Sequence, residues 1–166
     1  MRPMAMKSVL FYVLLFSVLL CGCNAAKQAA STPAPTPVPT PTPATATVAT
    51  GAGPYRVAVN PNTNQIYVAN NDGSNDVTVI DGATNNTTTV AVGSGPDAVA
   101  VNSVTNQIYV VGGNGNPGTV TVIDGATNNT TTVAAGTFPI AVAVNPNTNQ
   151  IYVANYASNN VMVLTP

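Results

Sequence analysis

Residues 54–95 read PYRVAVNPNTNQIYVANNDGSNDVTVIDGATNNTTTVAVGSG, and their reading decides the fold. Four runs of strand-forming residues, RVAVN, IYVAN, VTVI and TTTVAV, are separated by NPNTNQ, NDGSND and DGATNN. Each gap carries the Asn, Gly, Asp or Pro chemistry of a tight turn, and none is long enough for a crossover helix. The strands therefore connect as an antiparallel meander. The unit then recurs: Pro54, Pro96 and Pro139 stand 42 and 43 residues apart, and Ile66, Ile108 and Ile151 keep the same intervals.

A four-stranded antiparallel unit repeated at this period predicts the blades of a β-propeller. The strands place Val and Ala on adjacent positions, as in Val57, Ala58, Val59 and again in Val99, Ala100, Val101 and Val142, Ala143, Val144. Both faces of each sheet are thus apolar, as stacked blades require, whereas a sandwich with one wet face would show polar alternation. The last strand of each unit, TTTVAVG or TTTVAAG, turns polar with Thr, as expected at a rim. Composition agrees: of 166 residues, 25 are Val, 23 Thr and 21 Asn, so strand and turn formers dominate an all-β body.

The strings QIYVAN (65–70 and 150–155), VAVNPNTN and VTVIDGATN resemble the YVTN-family β-propeller repeats of surface-layer and secreted proteins. The resemblance covers residues 45–166. The family's Y-V-T-N stands here as YVAN twice and as Tyr109-Val110-Val111-Gly112 once. The resemblance implies an envelope or extracellular protein that binds or organises. Similar propellers also serve as lactonase or quinone-cofactor scaffolds.

Strand counting raises the question of closure. The third unit stops after VMVLTP, one strand short, while residues 45–53 (TATVATGAG) align with 87–95 (TTTVAVGSG) and supply a spare fourth strand before the first unit. The total is three full blades, fewer than the usual four to eight of a ring. A homodimer forming a six-bladed ring is expected, each N-terminal strand closing the partner's last blade. A propeller-gene fragment without independent function is the alternative.

Further out, residues 1–22 read as a secretory signal peptide, with Arg2 and Lys7 ahead of the apolar run SVLFYVLLFSVLL. Leu20-Cys21-Gly22-Cys23 resembles a bacterial lipobox, which implies lipidation at Cys23 and attachment to a membrane. Residues 23–44, containing STPAPTPVPTPTP, cannot join a sheet or helix and read as a polyproline-type spacer. The expected location is the cell envelope, membrane-anchored and facing outward.

The chain contains 4 Lys or Arg against 5 Asp, with no Glu and no His. A net charge of -1 offers no cationic surface for a polyphosphate, so nucleic acid is not an expected partner. Without His, Glu or a usable Cys, the common general bases, thiol nucleophile and nitrogen or sulfur metal ligands are missing. No catalytic residues, cofactor or metal are therefore expected. Asp72-Gly73-Ser74-Asn75-Asp76 resembles the start of a calcium loop but lacks its later positions. Asp81 and Asp124 belong to Asp-Gly turns and are expected to cap backbone amides.

All the length variation sits in the second turn of each unit, where composition diverges as well (NNDGSND, GGNGNPG, NYASNN), and a meander places that turn at the same end as the blade-to-blade links. Recognition is expected there. The candidate binding residues are Tyr55, Arg56, Asp97 and Phe138 in the links, with Asp72, Asp76, Asn114, Asn116 and Tyr156 in the second turns. Rings beside amides suit a glycan or a protein segment. The expected function is a non-catalytic envelope protein mediating protein or glycan contacts or coating the surface, with a lactonase-like or quinone-dependent propeller enzyme as the alternative.

Overall fold

The computed structural model describes residues 44–113 and 117–166. The signal peptide, Cys23 and the spacer up to residue 43 lie outside the described residues, as do Asn114 and Asn116. The described residues form three antiparallel sheets. The first runs in the order β1 (Pro54–Asn60), β2 (Gln65–Asn70), β3 (Asp76–Asp81) and β4 (Thr87–Ala91). The second runs β5 (Pro96–Asn102), β6 (Gln107–Gly112), β7 (Thr119–Asp124) and β8 (Thr130–Ala134). The third holds β9 (Pro139–Asn145), β10 (Gln150–Asn155) and β11 (Asn160–Leu164). These are propeller blades in meander order. The first strands β1, β5 and β9 lie against one another at the inner side, and the Thr-rich β4 and β8 are mostly exposed at the rim.

Each sheet has two apolar faces of different character. Because side chains alternate along a strand, Tyr67 shares a face with its cross-strand partner Val79, while Ile66 and Ile80 point to the other. Between the first and second sheets the tyrosine face (Tyr67, Val77, Val79, Val90) meets the isoleucine face (Ile108, Val110, Ile123), with Val99 and Val101 packed against them. The next interface repeats this with Tyr109, Val111 and Val120 against Ile151 and Val153. Each fully buried Ile or Val contributes about 1.5–3 kcal/mol, so these two seams hold the blades together. Tyr67 and Tyr109 each donate a hydroxyl bond of 2.7 Å to Gln65 and Gln107, which satisfies the one polar atom they carry. Burial pushes both phenols above their ordinary pKa.

Hydrogen bonds between side chains reinforce the seams. Asn60 Nδ2 donates to Asn106 Oδ1 of the next blade at 2.8 Å, and Asn102 Nδ2 donates to Asn149 Oδ1 at 3.0 Å. The Oδ1 atoms of Asn60 and Asn102 meanwhile accept from the turn amides of Asn62 and Val104, both at 3.0 Å. The abundance of Asn has a conformational reason as well. Asn64, Asn106 and Asn149 in the first turns, Asn75 and Asn159 in the second, and Asn85 and Asn128 in the third all adopt positive φ, which Asn tolerates better than other side-chain-bearing residues.

In the third turns, the carboxylates of Asp81 and Asp124 accept from the amides of Ala83 and Thr84 and of Ala126 and Thr127, at 2.8–3.0 Å. Those bonds favour the ionised form. The Thr84 amide and then that of Ala83 hold Asp81 below the usual aspartate value, and the Ala126 and Thr127 amides do the same for Asp124.

The spare strand behaves differently from expectation within a single chain. Residues 44–53 form no strand, and the fourth place in the sheet that follows them is filled by β4. Their link is nonetheless seated as in the other units: Gly51 N–H donates to Thr78 Oγ1 at 3.1 Å, as Gly93 N–H does to Thr121 Oγ1 at 3.3 Å.

Candidate functional site

The second turns and the links share one end of the blades. Asn71 N–H donates to Gly53 C=O, Gly118 N–H to Gly136 C=O and Tyr156 N–H to Phe138 C=O, each at 2.9 Å. The first and third turns meet at the opposite end, where the Gly82 and Gly125 amides donate to the Asn64 and Asn106 carbonyls at 2.8 Å. On the varied end, the starts of β1, β5 and β9 converge around a cleft of about 330 Å³ lined by Tyr55, Arg56, Asp97, Phe138 and Ile140. All three blades thus contribute to one concavity, through their innermost strands or the links entering them.

The cleft carries one cation, one carboxylate and two rings. Arg56 lies with its guanidinium carbon 4.0 Å from the centroid of the Tyr55 ring, a cation–π contact that steers the group without neutralising it. Asp97 is held from the preceding blade: Asn71 Nδ2 donates to its Oδ1 at 2.8 Å. Phe138 occupies the left-handed region at φ 55°, where the other two links use Gly53 at φ 65° and Gly95 at φ 58°. A bulky residue there costs about 1–2 kcal/mol, and such strain tends to mark functional positions. Its ring meets Tyr156 edge to face with centroids 6.1 Å apart.

Four of the candidate residues therefore meet in the cleft: Tyr55, Arg56, Asp97 and Phe138. Tyr156 stands beside it, supporting Phe138 and lining an adjoining groove with Ile140. Asp72 and Asp76 do not enter it. Asp72 packs under Gly53, whose missing Cβ would overlap it. Asp76 accepts from Asn70 Nδ2 across the β2–β3 pair, so it serves the blade interior. Asn114 and Asn116 lie outside the described residues. Sequence reasoning missed Ile140 and Asn71. Ile140 looks like any strand residue, and Asn71 is one amide in an Asn-rich turn; only their positions next to Phe138 and opposite the Asp97 link distinguish them. Among the described residues no three Asp side chains or other acidic, His or Cys ligands cluster as a metal set.

Stacked meander sheets with a cleft at the mouth of the innermost strands define a β-propeller. The chain belongs to the lactonase family of seven-bladed β-propellers, whose sequence model matches residues 78–165. No curated protein matches the chain. Among solved structures it is similar to hydrazine synthase of Kuenenia stuttgartiensis, with 24% identity and a TM-score of 0.62 over 73% of this chain and 35% of that one. It is also similar to a candidate 6-phosphogluconolactonase of Bacteroides fragilis, with 20% identity and a TM-score of 0.58 over 70% and 35%. An auxiliary nutrient binding protein of Bacteroides thetaiotaomicron aligns at 13% identity with a TM-score of 0.52, over 68% and 30%. At these identities the likeness establishes the fold, and the chain spans about a third of the length of each neighbour.

The family match corrects the expectation that the chain is not an enzyme. That expectation weighed the missing His and Glu and the lack of a usable Cys against an enzyme. The absence of His and Glu does not exclude hydrolysis, since a carboxylate can accept a proton from water and a cation can stabilise developing negative charge.

Proposed function

We propose that the protein is a cell-envelope hydrolase of the lactonase class that opens a sugar-type lactone in the cleft formed by Tyr55, Arg56, Asp97 and Phe138. The observation that carries this reading is the convergence of Arg56 and the Asn71-held Asp97 at the mouth of the innermost strands, in a chain whose family is named for that reaction. The rings of Tyr55 and Phe138 offer flat apolar contact to a sugar face. Arg56 binds the carbonyl oxygen and stabilises the negative charge that forms on it. Asp97 accepts a proton from water as its oxygen bonds to the carbonyl carbon. The ring carbon–oxygen bond then breaks, and Asp97 returns the proton to the departing alkoxide, leaving a hydroxy acid. Asn71 keeps the Asp97 carboxylate turned toward the cleft.

The YVTN-type repeats and the Leu20-Cys21-Gly22-Cys23 motif support placing this domain on a membrane through a lipid at Cys23, with residues 23–44 as spacer. Two or three acyl chains would make detachment slow.

The test is acid release from gluconolactone and 6-phosphogluconolactone, followed above the spontaneous rate. Asp97→Asn is expected to reduce kcat/KM by about 10²–10⁴, and Arg56→Ala to lower kcat. Wild-type protein that releases no acid beyond the spontaneous rate overturns the hydrolytic reading. Separately, Cys23→Ser should abolish incorporation of a labelled fatty acid; undiminished labelling refutes the anchor.

A further inference from the structure

The dipeptide Asp-Gly stands at 72–73, 81–82 and 124–125, and it is open to a spontaneous rearrangement of the main chain. The glycine nitrogen attacks the aspartate side-chain carboxyl, and with no Cβ on the glycine little obstructs the approach. A bond forms between that nitrogen and Cγ, and one carboxyl oxygen leaves as water with the amide proton and the carboxyl proton. Water then adds to the aspartate main-chain carbonyl carbon and breaks its bond to the nitrogen. The chain now runs through the side-chain carbon, as isoaspartate, with unchanged mass and an extra methylene in the backbone.

The fold treats the three differently. The carboxylates of Asp81 and Asp124 each accept from two turn amides at 2.8–3.0 Å, and these bonds favour the ionised form, which is a poor electrophile. Their glycines are fixed as well. The Gly82 and Gly125 amides donate at 2.8 Å to the Asn64 and Asn106 carbonyls, and a Cβ on either glycine would stand 2.7 Å from that same oxygen. Carboxylate and nitrogen must both break bonds before they can meet. Asp72 and Gly73, by contrast, are exposed, and among the described residues the Asp72 carboxylate accepts no hydrogen bond. Gly73, at φ 81°, has nothing within 4 Å of the place a Cβ would take. Its amide donates at 2.9 Å to the Asn71 carbonyl two residues back, a bond that turns with the segment itself.

We propose that Asp72-Gly73 is a site of spontaneous isoaspartate formation in the folded protein, and that the product frees the first link from the second turn of the first sheet. That turn holds the link through Asn71 N–H to Gly53 C=O and the Ser74 hydroxyl to Ala52 C=O, both at 2.9 Å. An extra methylene between Asn71 and Ser74 changes the spacing of the two donors, so they no longer match two adjacent carbonyls. Asn71 also donates its side-chain amide to Asp97 at 2.8 Å, and the same change withdraws support from that cleft residue. The inference is independent of the hydrolytic reading, since its test reads a backbone linkage.

The experiment ages the full chain at neutral pH and physiological temperature, folded and in concentrated urea. Each sample is then mapped with a protease that cuts before aspartate but not before isoaspartate. In the folded protein, isoaspartate should accumulate at Asp72 at least about tenfold faster than at Asp81 or Asp124, the factor that one hydrogen bond to a charged group adds to a barrier. In urea the three rates should draw together. Equal rates in the folded protein, or the same lead for Asp72 in urea, overturns the proposal. Asp72→Asn replaces an ionised carboxylate by an uncharged amide, a better electrophile, and should speed isoaspartate formation at that position; a rate no faster than wild type overturns it. Hydrogen exchange at the Asn71 amide should quicken in the isomerised fraction and stay slow in aged Asp72→Ala, which cannot rearrange there. Unchanged protection in the isomerised fraction overturns the release of the link.

Discussion

Phe138 meets Tyr156 edge to face, ring centroids 6.1 Å apart and planes inclined at 64°. The contact holds a phenylalanine at φ 55° in a link where the two other units use glycine. The Tyr156 amide completes the clamp by donating to the Phe138 carbonyl at 2.9 Å. Strain, ring packing and cleft thus coincide at one residue of the third link.

This arrangement reverses the usual order of two substitutions. Phe138→Ala removes the ring and keeps the left-handed penalty, whereas Phe138→Gly removes both. Glycine is therefore expected to be more stable than alanine at this position by about 1 kcal/mol, as read from urea denaturation midpoints. Alanine equal to or better than glycine would show that the left-handed backbone carries no strain.

The asparagine latch differs from an ordinary turn cap because Asn102 is 1% exposed and uses both ends of its amide. Asn102→Ala leaves the Val104 amide and the Asn149 carbonyl oxygen of the side chain unpaired at a seam. A loss of about 1–3 kcal/mol is expected. Asn147→Ala, at an exposed turn position, should change stability by less than about 0.5 kcal/mol. Thermal melts of the two variants make the comparison.

Restoring the repeat pattern at Gly112 is expected to do harm. Its counterparts are Asn70 and Asn155, but a Cβ on Gly112 would stand 2.1 Å from the carbonyl oxygen of Gly95. Here the link presses its backbone directly on the strand. Gly112→Asn should destabilise by at least about 1–3 kcal/mol, measured by denaturant unfolding; a neutral effect would mean that the link moves freely.

Alkaline stability should report the two buried phenols. Tyr67 and Tyr109 have pKa values raised by burial, so above about pH 10 the unfolded chain releases their protons first. Their contribution is complete below the unfolded value and is lost as pH climbs toward the folded one. Tyr67→Phe with Tyr109→Phe should flatten the fall of melting temperature between about pH 10 and 11.5, and an unchanged slope would place the alkaline transition elsewhere.

The blade was legible because its cause is local. Turn chemistry at the Asn- and Gly-rich gaps and apolar residues on both faces of RVAVN and IYVAN dictate four short strands with two buried faces, whatever surrounds them. The end of the blade at which Tyr55, Arg56, Asp97 and Phe138 stand also followed from meander geometry. That Arg56 and Asp97 line one cleft did not follow, because an inventory of residue types says nothing of which of them the blades bring together.

Linear order alone dictated the repeat, the strand count and the polar rim, since period, turn residues and side-chain alternation act over a few neighbouring positions. Tertiary structure decided which residues with similar sequence credentials share a cavity. It drew Asp97 and Phe138 to Arg56 and sent Asp72 and Asp76 under the links and into the blade. That sorting depends on how tightly the innermost strands converge and on a left-handed backbone at Phe138, and both are set by packing between units far apart in the chain.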